Sequence, residues 1–167
     1  MKKILIAFLT LFIINLGCKK IDDGGTLCAC SLMPTTSLSF IIKNSAGEDL
    51  LNATTSGSYT SNQIQLISKG ANGSIKQVSF FIRPSFSYGN EKFNFNQIFS
   101  EEIAVLAKTT QNSLYLKLGD DQPRLLRLTV GNYKVEKLSI DNKELPMAIN
   151  APTNYSYPNS IFALTIN

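Results

Sequence analysis

From Ser37 to the end of the chain, apolar and polar side chains alternate with a period of two in one short segment after another. Successive side chains of an extended strand point to opposite faces, so this period marks strands with one face in a core and the other in water. "SLSFIIKN" puts Leu38, Phe40 and Ile42 on one face, and Asn44-Ser45-Ala46-Gly47 closes it as a turn. "NQIQLIS" reads as a short strand, and "KGANGS" is the loop after it. "SIKQVSFFIR" then sets Val78, Phe80 and Ile82 inward until Pro84 withdraws a ladder donor. "SLYLKL" aligns Leu114, Leu116 and Leu118; "GDDQP" turns; "RLLRLTV" returns with Leu126, Leu128 and Val130, making the best hairpin in the chain. "GNYKVEKLSI" and the terminal "SIFALTIN", with Phe162, Leu164 and Ile166 on one face, complete the set. Only "SEEIAVLAK" has helical character, with Ser100 as N-cap and two glutamates in the first turn. The expectation is an all-β chain: a single antiparallel β-sandwich of seven or eight strands over residues 35–167.

The stretch "LSFIIKNSAGEDLLNATTSGSYTSNQIQLIS" resembles the opening of the prealbumin-like and immunoglobulin-like sandwiches of Bacteroidetes lipoproteins. There a strand, a glycine turn and a short Leu-Leu segment precede a second strand. The resemblance covers about a fifth of the chain. It implies a fold and carries no catalytic residues with it.

The other informative stretch is the start. Lys2 and Lys3 precede Ile4 to Ile14, in which Thr10 is the sole polar interruption. A membrane-crossing helix needs about 20 apolar residues, so this run fits a signal segment better than a span. Leu16-Gly17-Cys18 follows, and it resembles the lipobox of bacterial lipoproteins, with Asn15 departing from the usual aliphatic residue two positions before the cleavage site's last residue. The resemblance implies a signal peptide over 1–17, acylation of Cys18 as the first mature residue, and a flexible tether over 18–34. One acyl chain holds a protein reversibly and two hold it stably, so a triacylated Cys18 would anchor the chain without spanning. Lys19 stands where an aspartate would signal inner-membrane retention, which implies outer-membrane delivery. Lys19-Lys20-Ile21-Asp22-Asp23 also resembles the export signal of Bacteroidetes surface lipoproteins, although charges beside Gly24-Gly25 equally suit a solvated tether.

Removing residues 1–17 removes two lysines and no acid, leaving 14 basic against 12 acidic residues. That balance, and the lack of clustered Lys and Arg, argues against a nucleic-acid partner. The three arginines, Arg83, Arg124 and Arg127, fall where alternation exposes them.

Catalytic constellations are mostly excluded. The chain has no histidine, so it can form neither a Ser-His-Asp nor a Cys-His arrangement and has no imidazole ligand or base. Cys28 and Cys30 are the only thiols besides Cys18, too few for a zinc site. An oxidising envelope leaves them three states: a strained local disulfide, intermolecular bridges, or free thiols. The local bridge is the expectation carried forward. Asp120-Asp121 sits in the hairpin turn, where Asp bonds its own backbone, and Glu101-Glu102 opens the helical segment; neither pair has the spacing of a calcium loop. No cofactor and no metal is expected.

Two segments suggest contact surfaces. "APTNYSYPNS" displays Tyr155 and Tyr157 among small polar residues, suited to stacking on a sugar or packing on a protein, and "FSYGNEKFNFN" places Phe93 and Phe95 opposite Asn94 and Asn96. The expected function is therefore non-enzymatic: an outer-membrane lipoprotein, periplasm-facing or surface-exposed, that binds or assembles with a partner protein. A glycan-binding accessory lipoprotein and a pilin-like subunit donating "SIFALTIN" are the alternatives.

Overall fold

In the computed structural model, the alternation that opens at Leu38 becomes strand β1 (Leu38–Asn44), and Leu38, Phe40 and Ile42 are sealed in the core. The structure describes residues 36–89, 91–108, 112–131, 134–148 and 160–166, which belong to a compact unit spanning Pro34–Asn167. The expected signal segment 1–17 and the expected tether 18–34 both precede the described residues.

Eleven further strands follow β1: β2 (Ile64–Lys69), β3 (Ile75–Val78), β4 (Phe81–Arg83), β5 (Phe86–Tyr88), β6 (Glu91–Phe93), β7 (Gln97–Ser100), β8 (Ser113–Leu118), β9 (Arg124–Gly131), β10 (Lys134–Ile140), β11 (Lys143–Glu144) and β12 (Ile161–Ile166). One short helix, α1 (Glu102–Leu106), lies between β7 and β8. The strands form a four-stranded sheet in the order β12-β1-β7-β4, a six-stranded sheet in the order β11-β10-β9-β8-β2-β3, and the separate hairpin β5-β6. The fold is all-β and sandwich-like.

Both large sheets feed one core. Phe40, Ile98 and Phe162 from the first meet Leu66, Leu116 and Leu138 from the second in a single apolar cluster. Each such side chain contributes roughly 1.5–3 kcal/mol on leaving water, so the alternating faces are the main source of cohesion. The β8–β9 hairpin forms as expected, with Leu114 opposite Leu126. Its turn begins at Gly119, whose φ of +52° is costly for a residue with a Cβ. Leu50 and Leu51, the short Leu-Leu segment after the glycine turn, are both buried in the same core.

Three features depart from the sequence reading. Residues 75–83 read as one strand, but the chain breaks at Ser79-Phe80: β3 pairs with β2 in one sheet and β4 with β7 in the other. Inward alternation continues through the break, because Val78, Phe80 and Ile82 all pack on the shared core. Second, β12 runs parallel to β1, with Phe40 opposite Phe162 and Ile42 opposite Leu164, so the four-stranded sheet is mixed. Third, β7 and the β5–β6 hairpin add strands that the alternation did not separate. Ser100 ends β7, and its Oγ accepts the amide of Ile103 at 3.2 Å, so it caps the first turn of α1 from inside the strand.

Candidate functional site

The residues of β1 that point away from the core are Ser39, Ile41 and Lys43. Opposite them on β12 stand Ile161, Ala163 and Thr165, and Phe99 of β7 lies opposite Ser39. This outer face is covered rather than solvated. Ile41, Ile161, Ala163 and Phe93 form a second apolar cluster, with Phe86, Phe95 and Ala148 packed against it. The β5–β6 hairpin supplies Phe86 and Phe93, whose rings stack with centroids 4.6 Å apart and planes 13° apart. Ser39 Oγ donates to Gln97 Oε1 at 2.6 Å, which answers a hydroxyl buried beneath this layer.

The cover is incomplete. A trough of about 380 Å³ lies over the face, its floor made of Ile41, Gln97, Ile161 and Ala163. Lys92 and residues 93–95 line it from the hairpin side, and Pro146, Met147 and Ala148 from the other. That second wall is tied to β12: Ala163 donates its amide to the Pro146 carbonyl at 2.9 Å, and Ala148 donates to the Ile161 carbonyl at 2.7 Å. The first wall is held by Asn96, whose backbone amide donates to Asp49 Oδ2 at 2.8 Å and whose Nδ2 donates to the Leu51 carbonyl at 3.0 Å. Asn96 Oδ1 also accepts the amide of Ser85 at 3.2 Å. Phe93 and Phe95 both pack on the second cluster, but β6 ends at Phe93 and Asn94 lines the trough beside them, so the two-faced strand expected over 93–96 is not formed.

Lys43 and Lys92 both line the trough. The ion pairs among the described residues are Lys76–Glu102, Arg124–Asp141 and Lys137–Glu144, so neither trough lysine has a carboxylate within bonding reach there.

A second surface follows from the sheet crossing. β3 ends the six-stranded sheet and β4 ends the four-stranded one, so the segment Ile75–Arg83 forms the last strand of both. Ile75 is 73% exposed and Phe81 53% exposed, and Val105 on α1 is 60% exposed. Where the ladder breaks, Glu102 Oε2 accepts the amide of Ser79 at 2.7 Å and Ser100 Oγ donates to the Ser79 carbonyl at 2.7 Å. Lys76 Nζ lies 2.6 Å from Glu102 Oε1, and this bond, followed by the Ser79 amide, draws the Glu102 carboxyl down to about 2.

Arg83 corrects an expectation. Alternation exposes it, but it is half-buried, with its guanidinium 3.8 Å from the Phe99 ring centroid, 5.5 Å from Phe86 and 5.8 Å from Phe81. On this outward face the rings of Phe99 and Phe86 cover the guanidinium, while Phe81 on the same face stays exposed. Arg124 bonds Asp141, lowering that carboxyl, while Arg127 is exposed as expected. Asp120 and Asp121 occupy the exposed hairpin turn, and Glu102 is committed to Ser79 and Lys76.

Cys18, Cys28, Cys30, Tyr155 and Tyr157 lie outside the described residues. The described residues that flank the tyrosine segment, Ala148 and Ile161, line the trough. Among the described residues no cluster of three or more Asp, Glu, Cys or His could hold a metal, and no helix is long and apolar enough to cross a membrane. No family model, curated protein or solved structure matches the chain.

Proposed function

We propose that this chain is a non-enzymatic, lipid-anchored lipoprotein of the Bacteroidetes outer-membrane type, and that its sandwich binds a partner protein along the edge Ile75–Arg83. The observation that carries the binding role is the double edge: one continuous segment terminates both sheets and exposes Ile75 and Phe81 on them. Edge strands offer main-chain groups to a second chain, and proteins that leave an apolar edge uncovered use it or aggregate through it. A partner with an extended apolar segment would add a strand beside β4 and cover Phe81. The anchor role rests on Cys18 and its flanking residues.

This reading is supported over a pilin-like one by the position of β12. The proposed donor strand pairs along β1 of its own chain and places Phe162 and Leu164 in its own core. Donation would remove that packing.

Two measurements test the proposal. A photoreactive residue at Phe81 in intact cells should give one discrete cross-linked protein, and the same residue at exposed Asn52 should not. Fatty-acid labelling should mark the wild-type chain and not Cys18→Ser, whose processed form should leave the membrane fraction. Identical cross-links from both positions would overturn the binding role; continued labelling of Cys18→Ser would overturn the anchor.

A further inference from the structure

The trough is lined by none of the residues of the edge Ile75–Arg83, and it asks for a different occupant. We infer that it binds a single-chain carboxylate amphiphile, a free fatty acid whose chain lies over Ile41 and Ala163 and whose carboxylate meets Lys43. At about 380 Å³ the trough falls within the size range of small-molecule sites, roughly 300–1,000 Å³. Its floor is aliphatic except for Gln97. That amide is only 1% exposed, and its Oε1 accepts the Ser39 hydroxyl. The half-buried Lys43 and the exposed Lys92 line the trough and make none of the ion pairs among the described residues, so two cations beside an apolar floor suit an anion with an apolar tail.

Head and tail contacts are separated along one strand. Lys43 follows Ile41 by two residues on the same face of β1, a distance of roughly 6.6 Å, so a carboxylate at Lys43 leaves the chain free to run back over Ile41. Lys92 adds a second cation at the trough's rim. The other occupants fit less well. The trough lies on a sheet face, which offers no ladder groups to an extended peptide. Its aromatic lining is Phe93 and Phe95, which lack the polar handle that sugar stacking uses.

The test uses the full chain in nanodiscs of zwitterionic lipid, with a photoactivatable palmitate analogue and a matching alkylamine analogue. The acid probe should cross-link to peptides carrying Ile41, Phe95 or Met147, and unlabelled palmitate should displace it while its methyl ester should not. Lys43→Glu combined with Lys92→Glu should lower acid labelling about tenfold and raise amine labelling, a gain that a misfolded variant could not show. Undiminished acid labelling in that variant, loss of both probes, cross-links elsewhere on the chain, no cross-linking, or equal competition by the ester would each overturn the inference. The Phe81 cross-link belongs to the other surface and should persist in the variant, so failure of one reading is distinguishable from failure of the other.

Discussion

Glu102 accepts the backbone amide of Ser79 at 2.7 Å, and this bond sits where the chain leaves one sheet for the other. A strand that changes sheets leaves main-chain groups without ladder partners at the corner, and unsatisfied groups of this kind are costly. Here Glu102 answers the amide and Ser100 the carbonyl of the same residue. The helical turn α1 thus serves the sandwich by holding a carboxylate over the crossing.

The Glu102 carboxyl ionises at about 2 in the folded chain, below its ordinary value of 4.5. The stability it contributes is therefore fully present above pH 4.5 and is lost as the pH falls from there toward 2. Because Lys76 is largely exposed, the contribution is only about 1 kcal/mol. Glu102→Gln should lower stability by that amount at pH 7 and flatten the decline between pH 4.5 and 2. Thermal melts followed by circular dichroism across that range check both statements, and a variant that declines as steeply as wild type would refute them.

Arg83 rests on Phe99 at 3.8 Å, a geometry that needs a planar cation. Arg83→Lys should cost about 1 kcal/mol, and in a double-mutant cycle with Phe99→Leu the two losses should fall short of additivity by about 0.5 kcal/mol or more. Urea midpoints at constant slope report this. Additive losses would mean that the ring contributes packing alone.

How much of this was legible depends on what alternation can report. It located β1, β2, β8, β9, β10 and β12, because each has one face in the main core. It could not isolate β7, where Gln97, Ile98, Phe99 and Ser100 are all buried and no polar face remains to set the period. Nor does a period name a neighbour: Phe162 alternates identically whether β12 runs parallel or antiparallel to β1. The trough does have a signal in the sequence. Ile41 stands at an outward position of β1 and Ala163 at one of β12, and apolar residues on both faces of a strand mark a second cover. Asp141-Asn142 is equally readable as a hairpin turn, since Asp and Asn tolerate the left-handed region. The proposed acylation site, Cys18, lies outside the described residues.

That turn yields its own prediction. Asp141 and Asn142 have φ of +51° and +67°, the left-handed pair that joins β10 to β11 with Ile140 opposite Lys143. Asn142→Gly should raise the melting temperature, by about 0.5 kcal/mol of stability, and Asn142→Val should lower stability by about 1–2 kcal/mol, since a Cβ-branched residue resists this conformation. Equal melting of the two variants would contradict the turn.

Asn96 offers the sharpest test of how the trough wall is held. It bonds three residues of two segments, Asp49 and Leu51 in one and Ser85 in the other, and its amide side chain supplies both a donor and an acceptor. Asn96→Ala removes both side-chain bonds and should cost about 1–3 kcal/mol at any pH. Asn96→Asp keeps the acceptor for Ser85 but turns an oxygen toward the Leu51 carbonyl and adds a negative charge beside the Asp49 carboxylate. Both effects disfavour the ionised form, so the new carboxyl should titrate above its unfolded value of about 3.9. Its penalty is then full at pH 7 and shrinks as the pH falls through the folded value, because the protonated acid can donate to Leu51 again. Melts of the three proteins from pH 7 to pH 4 should show the aspartate variant converging on wild type while the alanine variant stays a constant distance below. Parallel curves for all three would mean that Asp49 and Leu51 do not bear on this position.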